Sequence, residues 1–95
     1  MASYNKISQK ASDWVSVNTL SSVTVGDAFT IQNNNTEVVL VSEGITKPTL
    51  TADNYLKLYS AEYAGLSLVN VTSGSGQIWV RPASLGDQIE LSIQG

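Results

Sequence analysis

Short runs of alternating apolar and polar residues, broken about every ten positions by Gly, Asn, Ser or Asp, fill most of this chain. That rhythm is incompatible with long helices and predicts strands joined by turns. The cleanest run is QIELSIQ at 88–94, with Ile89, Leu91 and Ile93 inward and Glu90 and Ser92 outward. QIWVRP at 77–82 places Ile78 and Val80 on one face and Trp79 on the other, and Pro82 ends it. TEVVLV at 36–41 is the most continuous β-branched stretch and predicts a central strand buried on both faces. DWVSVNTL at 13–20, YLKLYS at 55–60 and GLSLVNVT at 65–72 predict further strands. SSVTV and AFTIQ flank Gly26-Asp27, the signature of a type II′ hairpin. A strict hairpin there pairs Val25 with Ala28 and puts Phe29 and Ile31 on the face opposite to that of Val23 and Val25, so a crossover between sheets is the preferred reading. The expectation is an all-β chain, a small antiparallel β-sandwich or compact barrel of seven to eight short strands. Val39, Leu58, Val80, Ile89, Leu91 and Ile93 are its predicted core.

A chain of 95 residues and 10.1 kDa has room for one domain. Surface scaling predicts that about 64% of the unfolded surface is buried on folding, which makes a thin core. The sequence has no cysteine and no histidine, so neither a disulfide nor a zinc site of the usual ligands reinforces it. Self-association is therefore expected, with a trimer favoured. Residues 1–12 (MASYNKISQKAS), with Tyr4 and Ile7 as their large apolar groups, are expected to form an N-terminal attachment arm, and 13–95 the single β domain. The polar stretch from Glu43 to Asn54 is the second expected attachment element.

The same absences narrow the chemistry. Without histidine, a serine hydrolase would need a lysine or carboxylate base, and neither Ser-x-x-Lys nor Gly-x-Ser-x-Gly occurs. The eight acids sit at turns or on strand faces, and a domain this small seldom holds the cleft that a carboxylate pair needs. No calcium-loop run of closely spaced acids is present. The expectation is a non-enzyme with no cofactor and no metal. The sequons Asn34-Asn35-Thr36 and Asn70-Val71-Thr72 are read as chance matches.

Net charge is −3, and the five basic residues are scattered, whereas nucleic-acid binding needs cations gathered into a stripe. Neither nucleic acid nor membrane is an expected partner, since no segment approaches ~18 apolar residues. The leading MASYNK lacks an apolar signal-peptide region, so synthesis in a cytoplasm without secretion by a signal peptide is expected. Tyr55, Lys57, Tyr59, Tyr63 and Trp79 form a candidate interface or ligand face, because Tyr and Trp rings serve both subunit contacts and stacking on sugars. Trp14 belongs to the same choice, with core or interface preferred for both tryptophans.

The succession DWVSVNTLSSVTVGDAFTIQNNNTEVVLV, a loop containing TKPT, the EYAG segment, SGSGQIWVRP and the terminal GDQIELSIQG resembles the small β-rich virion proteins of tailed bacteriophages. The resemblance covers most of the chain from Trp14 onward. It implies a structural role in the virion, as capsid decoration, head fibre or tail accessory, with phage capsid or tail proteins as partners. It carries over no catalytic residue. A carbohydrate-binding module using surface Trp and Tyr is the alternative from another class, and a host-takeover protein binding a bacterial partner is a third.

Overall fold

Eight strands and one short helix make up the computed structural model, which describes residues 4–35, 37–49, 55–59 and 68–94. In chain order they are β1 (Tyr4–Lys10), β2 (Val15–Ser16), α1 (Val17–Ser21), β3 (Phe29–Asn33), β4 (Val39–Glu43), β5 (Leu56–Leu58), β6 (Leu68–Val71), β7 (Ile78–Pro82) and β8 (Gln88–Gln94). The chain is all-β, with two four-stranded antiparallel sheets ordered β1-β8-β3-β6 and β2-β7-β4-β5.

Period-two alternation sets the inward faces. In the first sheet Ile7 pairs with Leu91, and Ile31 pairs with both Ile93 and Val69. In the second, Val39 pairs with Leu58 and Pro82, and Val41 with Val80. Residues from both sheets, with Val17 of α1, form one buried cluster. All six predicted core residues, Val39, Leu58, Val80, Ile89, Leu91 and Ile93, are buried in it. β4 is an interior strand buried on both faces from Val39 to Ser42, as its apolar run predicts.

Three expectations are corrected. Residues 4–10 are no arm: β1 pairs along its whole length with β8, and Ile7 is core. An outer strand needs few apolar residues, because its outward face meets water and its edge bonds only one neighbour. Lys6, Ser8 and Lys10 are exposed accordingly.

DWVSVNTL is not one strand, since β2 stops after two residues and α1 begins. Ser16 caps the helix, its Oγ accepting from Thr19 N–H at 3.2 Å and donating to Gln77 Oε1 at 2.7 Å. Buried Asn18 then accepts from Ile78 N–H at 2.8 Å and donates to the Val23 carbonyl at 3.2 Å, fixing α1 against β7. These tertiary bonds override the β-branched local preference.

At Gly26 the preferred crossover between sheets holds, and what is overturned is the strand read in SSVTV. SSVTV carries no strand, and β2 and β3 lie in different sheets. Gly26, at φ +98°, is third in a four-residue turn closed by Asp27 N–H to the Thr24 carbonyl. A positive φ at that position marks type II rather than II′. Gly74 and Gly86 repeat the device in turns closed by Ser75 to Thr72 and by Asp87 to Ser84.

Candidate functional site

The second sheet turns one face to the core, yet Leu40 and Ser42 on its other face are buried as well. What reaches that face is the chain after β4. Gly44 is held at both ends of its peptide, its N–H donating to the Gln77 carbonyl at 2.9 Å and its carbonyl accepting from Trp79 Nε1 at 3.0 Å. Just before it, the Glu43 carboxylate accepts from Gly76 N–H at 2.6 Å. Further on, Lys47 Nζ meets Asp13 Oδ2 at 2.8 Å, and Trp14 Nε1 donates to the Thr49 carbonyl at 3.1 Å. Two indoles and one ion pair thus hold residues 44–49 in place.

Beneath this loop the Trp14 ring is buried, and the Arg81 guanidinium carbon stands 5.4 Å from its centroid, within cation–π range. Arg81 Nη1 donates to the Pro82 carbonyl at 2.9 Å, while its buried Nε has no hydrogen-bond partner among the described residues. The Asp13 carboxyl is held below its ordinary value of 3.8, first by the hydrogen bond from Lys47 and then by that from Trp14 N–H.

Between the anchors the loop exposes Ile45, 88% accessible and the most exposed large apolar side chain among the described residues. Beside the loop base lies an open groove of about 390 Å³ between β5 of one sheet and β6 of the other. Val41, Val71 and Ile78 form its apolar floor, Leu56 and Val69 its sides, and Glu43 its polar rim. Leu56 is 64% exposed at this edge.

The aromatic face foreseen in the sequence is only partly assembled. Lys57 on β5 and Tyr59 just after it are exposed, and Tyr55 is half-buried at the groove. Trp79 is half-buried two strands away on β7, its N–H committed to Gly44. Tyr63 lies outside the described residues. Of the two arm residues, Ile7 is core and Tyr4 opens β1. Ile45, Arg81 and the buried amide of Asn18 were not singled out in the sequence. The one signal available was Ile45 itself, an apolar residue isolated in the turn-rich GITKP.

No three His, Cys, Asp or Glu side chains group as a metal site among the described residues, and no helix there is long and apolar enough to cross a membrane. No family model, curated protein or solved structure matches the chain.

Proposed function

We propose that this protein is a non-catalytic structural component of a tailed-bacteriophage particle, a β-sandwich that self-associates and attaches to capsid or tail. The two sheets, each contributing its inward face to one cluster, are the layers of that sandwich. The observation that carries the reading is the anchored loop 44–49, which presents Ile45 to solvent. A large aliphatic group held rigidly in water is a contact point for protein, because the ordering cost of binding is already met in the fold. The phage setting comes from the sequence resemblance in SGSGQIWVRP and GDQIELSIQG.

Carbohydrate binding ranks second, because both indole N–H groups are used internally and Trp14 is buried. The test is co-sedimentation with phage particles that lack the protein. Saturable binding of the wild-type protein is the expected result, and no binding to particles would overturn the virion reading. Binding to polysaccharide, with none to particles, would replace this reading by the carbohydrate one.

A further inference from the structure

Ile45 and the groove beside β5 are neighbours in the chain as well as in space. Glu43 lines the groove, and Ile45 stands two residues further on. Both have the character of half an interface: one is an exposed branched aliphatic side chain on an anchored loop, the other a cavity of about 390 Å³ with an aliphatic floor. The charges beside them are opposite as well, since Lys47, half-exposed and paired with Asp13 of its own chain, follows the knob, and Glu43, which accepts from Gly76 N–H, stands exposed at the groove.

We propose that the partner of Ile45 is a second copy of this chain, with Ile45 of each protomer seated in the β5/β6 groove of the other. The proposal rests on reading loop 44–49 as a protein contact element, and it names that contact's partner. A twofold axis makes every such contact twice, because the same patch serves both subunits. Knob and groove belong to one stretch of surface, with Ile45 two residues after groove-lining Glu43, and a single self-complementary patch closes on a twofold axis. The reciprocal arrangement therefore replaces the trimer expected from core size alone. It covers Ile45 and Leu56, the two most exposed large apolar side chains among the described residues, in one step. It also brings the Lys47–Asp13 pair of each copy towards Glu43 of the other, where the exposed side of the ammonium meets an opposite charge.

The test uses the full chain and two substitutions at exposed positions, Ile45→Lys and Leu56→Glu, with circular dichroism and melting to confirm that each variant folds. Light scattering and sedimentation are expected to give a wild-type dimer, and each single variant should weaken association by about tenfold or more, as loss of a central anchor does. Mixing the two variants should restore dimers: one side keeps an intact knob in an intact groove, and the other sets the introduced lysine of one variant against the introduced glutamate of its partner. A wild-type monomer at high micromolar concentration overturns the proposal together with self-association. A wild-type oligomer that neither variant disturbs overturns this surface alone, and particle co-sedimentation reports on the virion role separately.

Discussion

Asn33, at the end of β3, donates from Nδ2 to the Leu58 carbonyl of β5 at 3.0 Å, and so links one sheet to an edge strand of the other. The side chain is fully buried, and the carbonyls of Glu37 and Tyr59 stand at 2.9 and 3.0 Å from the same nitrogen. Its Oδ1 accepts from Asn35 N–H at 2.9 Å, which shapes the turn that leaves β3. One amide thus serves a turn and a sheet-to-sheet connection.

Replacing Asn33 by Leu keeps most of the volume and leaves those carbonyls without their donor, a loss of about 1–3 kcal/mol. Asn33→Asp should cost more at neutral pH, because a buried carboxylate would face carbonyl oxygens. Denaturant unfolding of both variants checks the order. Equal stabilities would show that the amide donor is not what matters at this position.

Leu91→Ala should cost about 2–5 kcal/mol, the usual range for a fully buried leucine truncated in a core. Leu91 pairs with Ile7 on one side and Asn33 on the other, so its cavity opens at the middle of the first sheet. Thermal unfolding reads the loss.

Removing residues 1–10 should destabilise the fold, contrary to what an arm would do. The deletion strips the whole of β1, takes Ile7 out of the core and bares the edge of β8. Broadened melting and concentration-dependent aggregation are expected. A truncated chain melting cooperatively at the wild-type temperature would count against the structural role of β1.

The legible parts of the sequence were those where local pattern and tertiary demand agree. QIELSIQ and QIWVRP alternate cleanly because β8 and β7 are interior strands with inward faces on a shared core. TEVVLV reads as buried on both sides because β4 is an interior strand whose Leu40 and Ser42 are buried as well as Val39 and Val41. β1 was hidden because Ile7 is the one aliphatic residue in YNKISQK, and because its partner β8 lies about eighty residues away, beyond any local window. α1 was hidden because Ser16 and Asn18 act through Gln77 and Ile78, far along the chain. The tryptophans were recognised as core or contact residues, but their N–H bonds to Thr49 and Gly44 depend on which sheet β2, β4 and β7 share. The knob and groove became visible only once Ile45 and the two sheet edges were placed together.

The Lys47–Asp13 pair sets a defined acid response. The carboxyl of Asp13 is depressed in the folded chain, so its contribution is present above the unfolded value and is lost as pH falls through the folded one. The loop contact should be insensitive to pH from 8 to 5 and should weaken only as pH falls below 3.8, the ordinary value of the Asp13 carboxyl. Tryptophan fluorescence followed to low pH tests this, because Trp14 adjoins Asp13. In Asp13→Asn that acid transition should vanish. A transition near pH 6 in the wild type would assign the response to another group.

Trp79→Phe offers the sharpest test of how the loop is held. Phenylalanine keeps a ring on β7 but has no N–H for the Gly44 carbonyl, so the loop loses the bond immediately before Ile45. A single lost hydrogen bond should lower global stability by about 1 kcal/mol. Its local effect should be larger, since proteolysis of a folded chain follows the population of the opened segment. Thermolysin, which cuts before large aliphatic residues, should then cleave between Gly44 and Ile45 well ahead of global unfolding, while the wild type resists despite the exposure of Ile45. Trp14→Phe releases the other end, at Thr49, and should sensitise the same bond more weakly because Gly44 remains held. If both variants are cleaved at the wild-type rate, the indoles do not anchor the loop, and the rigidity on which the Ile45 contact depends must come from elsewhere.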